Sequence, residues 1–96
     1  MKIIAIEHEL PGANQEQFQA HAHNEAARVW ELYQAGLLRE LYFRADQSTA
    51  VLVLECANVE EARQTLSTLP LVARGLIEFE LLPLAPYPGF ARLFLK

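Results

Sequence analysis

The chain has 96 residues, of which 52% are hydrophobic and 21% charged, and its net charge is −4. This is the composition of a single folded domain, and the acidic balance without a Lys/Arg cluster argues against a nucleic-acid partner. No apolar run approaches the roughly 20 residues of a membrane-spanning helix, the start lacks a signal-peptide pattern, and Cys56 is alone, so we expect a cytoplasmic protein without membrane contact or disulfide.

Hydrophobic spacing predicts six elements in the order strand, helix, strand, strand, helix, strand. Their ranges are 2–10, 15–35, 37–44, 49–56, 59–69 and 75–82, followed by an irregular apolar tail. Asn14 and Asn58 are N-cap candidates for the two helices, and Gly36 suits the left-handed position after the first. The order is that of an α+β, ferredoxin-like fold: an antiparallel four-stranded sheet with both helices on one face.

The other face of that sheet has no cover within the chain. A second copy that packs the same face would form a dimeric α/β barrel. The high hydrophobic share of so small a domain also favours a homodimer or larger homo-oligomer over a tightly packed monomer. The apolar tail, which contains Phe90, Leu93, Phe94 and Leu95, is expected to pack on a neighbouring subunit, with packing on its own domain as the alternative.

Glu25 is the first candidate for chemistry. The apolar stripe of the first helix consists of Phe18, Ala22, Val29, Leu32 and Tyr33. At roughly 100° per residue, Glu25 falls inside this stripe. A carboxylate among core-facing side chains tends to have a raised pKa, which suits general acid–base catalysis near neutral pH. The alternative is a slightly rolled helix that leaves Glu25 on a wet edge.

His21 lies one helical turn before Glu25, so the two side chains can touch. The pair could transfer a proton or could be a surface ion pair. His23 points away from both, and two imidazoles spaced this way on a helix do not meet on one metal ion. We therefore predict neither a metal site nor a cofactor, since Gly-rich phosphate loops and cysteine redox motifs are also missing from the sequence.

Five further residues are candidates for contacts with a small molecule. Arg39 could hold a substrate carboxylate through two hydrogen bonds, or it could lie at a solvated strand edge. Tyr42 follows on the same strand, and Trp30 lies just outside the helix stripe, where it could roof a pocket. His8 ends the first strand and could enter a pocket mouth. Glu78 on the last strand faces either water or the lumen of a dimer.

Several short segments carry a family resemblance. They are Leu69-Pro70-Leu71, Ile77-Glu78-Phe79 and Pro83-Leu84, with Gly36, Arg39, Leu41 and Ala45 in register before them. With these residues the chain, from about Glu25 onward, resembles the muconolactone delta-isomerase family. YciI-like barrels share its size and element order, but the Leu69-Pro70-Leu71 pattern fits the isomerases better. The chain departs from the family pattern at Pro86 and Tyr87, where members usually carry Arg-His.

The resemblance implies a ferredoxin-like fold assembled as a dimeric barrel or larger ring, and an activity that moves a proton within an unsaturated lactone without a cofactor. On this hypothesis Glu25 shuttles the proton, His21 tunes it, and Arg39 orients a carbonyl or carboxylate. A non-catalytic binding or assembly module, with the barrel filled by its own side chains, is the main alternative. A cofactor-free barrel monooxygenase that acts on aromatic compounds is a third hypothesis.

Overall fold

The computed structural model describes residues 1–95. Its elements are β1 (Lys2–Glu9), α1 (Gln15–Gln34), β2 (Leu38–Phe43), β3 (Ala50–Glu55), α2 (Val59–Leu66), α3 (Pro70–Ala73), β4 (Ile77–Pro83) and a terminal 3-10 helix (Gly89–Phe94). The predicted order of strands and helices is therefore confirmed. Two details differ: the second helix ends at Leu66 instead of Leu69 and is followed by a separate short helix, α3, and the tail, expected to be irregular, contains the 3-10 helix.

Pro70 explains why α2 and α3 are two separate helices. Proline has no N–H, and its ring collides with the carbonyl four residues earlier, so α2 ends at Leu66. Pro70 instead takes the first position of α3, where a missing N–H costs nothing.

Local sequence signals set the other helix ends. The Asn14 side chain accepts a hydrogen bond from the Gln17 N–H at 2.9 Å, and Asn58 accepts one from the Glu61 N–H at 2.8 Å. Each satisfies a first-turn donor that has no partner within its helix. After α1, Gly36 has φ of +83°, a left-handed conformation that glycine adopts without a steric cost.

The four strands form one antiparallel sheet in the order β2-β3-β1-β4. One face packs against the helices, and the largest fully buried side chains of this core are Ile3, Leu38, Leu54, Leu69 and Ile77, of which Leu69 comes from the segment before α3. Strand alternation sends Ile4, Ile6, Val51 and Val53 to the opposite face, where they are only partly buried. We call this second surface the open sheet face.

After β4 the chain leaves the domain as a C-terminal arm, residues 84–95. Its large apolar side chains stay exposed: Tyr87, Phe90, Leu93, Phe94 and Leu95 each keep at least 69% of their surface. The molecule measures 61 × 29 × 21 Å and has a radius of gyration of 15.9 Å, whereas a compact domain of this length has one of about 12.5 Å. The arm therefore does not bury its apolar side chains on its own domain.

The base of the arm has a defined shape. The rings of Tyr87 and Phe90 meet edge to face with centroids 5.2 Å apart. A Cβ atom at Gly89 would lie only 2.0 Å from the Tyr87 hydroxyl, so a side chain at this position would displace the tyrosine ring.

Among residues 1–95, no helix is long and apolar enough to cross a membrane.

Candidate active site

An open cavity of about 710 Å³ lies between α1 and the helix-facing side of the sheet. Its lining is mostly apolar and aromatic, and includes Phe18, Val29, Trp30, Tyr33, Leu52, Leu69 and Phe79. Alanines at positions 22, 26 and 50 also line it, and their small side chains leave space that larger ones would fill. The volume is within the range of pockets that bind small organic ligands.

Glu7 reaches this cavity from β1. Strand alternation places it on the same face as Ile3 and Ala5, and only 9% of its surface is exposed. Its Oε1 atom accepts a hydrogen bond from the Ala50 N–H at 3.1 Å. Burial raises the pKa of Glu7, because the charged carboxylate loses water there, and this outweighs the opposite effect of the Ala50 N–H.

Glu25 reaches the same cavity from α1. Its Oε1 atom accepts a hydrogen bond from the Leu71 N–H at 2.9 Å. Leu71 is the second residue of α3, so its N–H has no partner within that helix and is free to bind a carboxylate. Burial raises the pKa of Glu25, while the Leu71 N–H and the charge of His21 act in the opposite direction.

The two carboxylates are close enough to influence each other. In addition to burial, which is the largest cause, the negative charges of Glu9 and Glu25 raise the pKa of Glu7. Each carboxyl group therefore loses its proton less readily than a free glutamate, and the negative charge of Glu25 contributes to this effect at Glu7. Within residues 1–95, only one oxygen of each carboxylate has a protein hydrogen-bond partner. The site thus offers a ligand two carboxyl groups with raised pKa values, each with one oxygen atom that has no hydrogen-bond partner within residues 1–95.

Three of the residues predicted for the site line this cavity: Glu25, Trp30 and Tyr42. Trp30 stacks on Tyr33 with ring centroids 5.8 Å apart and remains 58% exposed, so it lies at the mouth. The Tyr42 hydroxyl donates to Glu40 at 2.8 Å, with the rest of the residue exposed. His21 does not line the cavity, but its charge lowers the pKa of Glu25.

The other three predicted residues lie elsewhere. The Nε atom of Arg39 donates to the Gly36 carbonyl, within the irregular pairing between Leu38 and Glu40. His8 contacts Glu80 at 3.0 Å, and Glu78 is opposite His8 in the strand register. The side chains of His8 and Glu78 both lie on the open sheet face. The structure does not bring Arg39, His8 or Glu78 together with Glu25.

Glu7 was not among the residues selected from the sequence. The signal was present, because Ile3, Ala5 and Glu7 alternate along one strand and the first two are apolar. The same reasoning that selected Glu25, an acidic residue in an apolar pattern, would have identified it.

The electrostatic character of the cavity is acidic. Three glutamates line it, Glu7, Glu9 and Glu25, and the lining contributed by residues 1–95 contains no Lys, Arg or His. Within that part of the chain, no group of three or more His, Cys, Asp or Glu side chains could hold a metal ion. The arrangement suits proton transfer on a ligand that binds through apolar and aromatic contacts.

Comparisons with known proteins agree with this architecture. A family model described as muconolactone delta-isomerase matches residues 3–89. A crystal structure of muconolactone isomerase at 3.3 Å resolution shares 22% identity and a TM-score of 0.74, over 93% of each chain. A 5-chloro-2-hydroxyhydroquinone dehydrochlorinase from Burkholderia phenoliruptrix AC1100, in complex with 2,5-dihydroxybenzoquinone, shares 15% identity and a TM-score of 0.62, over 93% of this chain and 98% of the other. No curated protein matches the chain in sequence.

Proposed function

Because the chain belongs to the muconolactone delta-isomerase family, we propose that it is a cofactor-free isomerase that moves a proton within a small lactone or related unsaturated ring compound. One observation carries the proposal: Glu7 and Glu25 share an apolar cavity and both have a raised pKa. A carboxyl group whose pKa lies closer to neutrality can both take and return a proton.

In the proposed reaction, Glu25 is the base. Its free oxygen takes a proton from a saturated ring carbon next to a C=C double bond that is conjugated with the carbonyl group, and the electron pair of the broken C–H bond delocalises through that double bond onto the carbonyl oxygen. Glu7, in its protonated form, donates a hydrogen bond to that oxygen and stabilises the charge. Glu25 then returns the proton to another carbon of the conjugated system, so the product has the same atoms as the substrate.

The surrounding residues assist this chemistry in two ways. The charge of His21 offsets part of the rise in the pKa of Glu25, which is a positioning role rather than contact with the substrate. Trp30 and Tyr33, stacked at the mouth, present aromatic surface to a flat ring. Arg39 has no part in this mechanism, because its side chain is bonded to the Gly36 carbonyl outside the cavity.

We also propose that the protein is a homo-oligomer in which a second copy covers the open sheet face. Partly buried Ile4, Ile6, Val51 and Val53 form its centre, and an apolar surface of this kind is normally covered by another element. The exposed apolar side chains of the C-terminal arm would then pack on a neighbouring subunit.

Turnover of unsaturated lactones by purified variants tests the catalytic proposal. Glu25→Gln preserves the shape of the side chain and its acceptor for Leu71 but removes the base, so we expect turnover to fall by at least about 100-fold. The matched control is Glu16→Gln, the same exchange at an exposed position in the first turn of α1. It should keep wild-type turnover.

Non-catalytic binding is the second candidate function. It is favoured by the position of Arg39 outside the cavity, because an expected substrate contact is then missing. A lactone that binds the cavity but is not converted by the wild-type protein would support it. Full turnover by a folded Glu25→Gln variant would contradict the assigned base.

A further inference from the structure

We propose that the cavity selects an uncharged ring compound and disfavours one that carries a carboxylate. This inference rests on the proposed function for the chemistry that follows binding, but the binding preference itself depends only on the charges around the cavity. It names the substrate class for the site formed by Glu7, Glu25 and the aromatic residues of α1.

The first observation is the sign of the charge. Glu7, Glu9 and Glu25 line the cavity, on β1 and α1, and within the described part of the chain the lining contains no Asp, Lys, Arg or His, so that its negative charge comes from Glu9 and Glu25 when Glu7 is protonated. Glu9 is exposed at the end of β1. A ligand carboxylate would thus enter a space where the nearby fixed charges are negative.

The second observation concerns the positive side chains on the elements that frame the cavity. They do not line it, and several have other partners. These are His8 with Glu80, Arg28 with Glu31 and Thr68, Arg39 with the Gly36 carbonyl, and Arg44 with Asp46. His21 acts on Glu25 from outside the lining. None of these side chains forms a clamp for a ligand carboxylate.

The third observation is the apolar character of the walls. A carboxylate that loses water among Phe18, Phe43 and Phe79 would find no ionic partner there to offset that loss. An uncharged ring loses little hydration and gains apolar contact with the same side chains. Both effects favour the neutral ligand.

A pair of ligands with nearly the same shape tests this inference. One is a butenolide that carries an acetate side chain, and the other is the same butenolide with the primary amide in place of the carboxylate. Affinities are measured by NMR titration of the full-length protein at pH 7. We expect the amide to bind at least about tenfold more tightly, the effect of one like charge at a distance of about 10 Å in a protein environment.

Removing one negative charge identifies the cause. Glu9→Gln should strengthen binding of the carboxylate ligand several-fold and leave binding of the amide unchanged. Glu16→Gln, which removes a charge from an exposed position away from the cavity, should change neither affinity. Added salt should reduce the difference between the two ligands, because it screens the repulsion.

Equal or tighter binding of the carboxylate ligand would overturn the inference, as would the failure of both ligands to bind at millimolar concentration. The proposed function can fail separately. If the amide binds more tightly but is not isomerised, the selection for an uncharged ring stands and the isomerase activity on this ring does not. If the carboxylate ligand binds more tightly and is converted, the isomerase stands and this inference is lost.

Discussion

At the level of single residues, the surroundings of Glu7 and Glu25 prepare the two carboxyl groups for different tasks. Each is partly removed from water and accepts one backbone N–H. Glu7 is the more buried of the two, and the negative charges of Glu9 and Glu25 further raise its pKa. Glu25 has the opposing influence of His21, which favours its ionised form. One group is therefore suited to donate a hydrogen bond and the other to accept a proton.

This difference predicts the pH dependence of the rate. Activity needs Glu25 ionised and Glu7 protonated, so kcat/KM should follow a bell-shaped curve with both limbs above the ordinary carboxyl pKa of 4.5. Glu7→Gln cannot lose a proton but can still donate a hydrogen bond. It should retain part of the activity and lose the alkaline limb. A Glu7→Gln profile that keeps the wild-type alkaline limb would contradict the role of Glu7.

The raised pKa of Glu7 also predicts how stability changes with pH. The folded protein holds this proton more tightly than the unfolded chain does, so the stabilisation is present below pH 4.5 and is lost as pH rises through the folded pKa. The free energy of unfolding of Glu7→Gln should therefore decrease less over that range than that of the wild type. Urea denaturation at a series of pH values measures it, and parallel curves for the two proteins would count against the shift.

At the level of elements, the short helix α3 is what connects fold and site. Pro70 ends the preceding helical segment and starts a new one, and this frees the Leu71 N–H to hold Glu25. The Leu69-Pro70-Leu71 segment stood out in the sequence as a family pattern. Its contact with Glu25 joins residues 46 positions apart and could not be read from local spacing.

The N-cap of α1 gives a stability prediction at this scale. α1 carries Glu25, and Asn14 caps its first turn. Asn14→Ala should lower the free energy of unfolding by about 1 kcal/mol, because the Gln17 N–H loses its acceptor. Asn24→Ala, at an exposed position in the middle of α1, is the control and should be neutral or slightly stabilising. Equal losses in the two variants would show that the cap is not responsible.

At the level of the whole molecule, the sequence predicted the order of elements and the antiparallel sheet, because both follow from local periodicity and turn residues. It indicated Glu25 for the same reason. The sequence did not show that the Arg39 side chain donates a hydrogen bond to the Gly36 carbonyl, since that contact depends on an irregular strand pairing. Nor did it show that the apolar side chains of the arm stay exposed, since that depends on how the arm lies relative to its own domain, which periodicity does not report.

The open sheet face gives the prediction for assembly. Ile4 is opposite Val53 on one neighbouring strand and Leu82 on the other, at the centre of that face. Ile4→Glu should weaken self-association by at least about tenfold, because a charge would be buried between two copies. Gln64→Glu introduces the same charge at an exposed position of α2 and should not. Light scattering after size-exclusion chromatography measures the mass of both variants, and an unchanged mass for Ile4→Glu would show that this face is not the interface.

Proton exchange measured by NMR in deuterated water tests most directly whether Glu25 is the base. An unsaturated lactone is incubated with equal amounts of wild type or Glu25→Gln. We expect the wild type to isomerise the lactone and to place solvent deuterium at the carbon that receives the proton, because the open cavity lets Glu25 exchange with water. Glu25→Gln, with its fold verified by its amide spectrum, should show only the uncatalysed rate. Isomerisation and deuterium incorporation at the wild-type rate by this variant would contradict the claim.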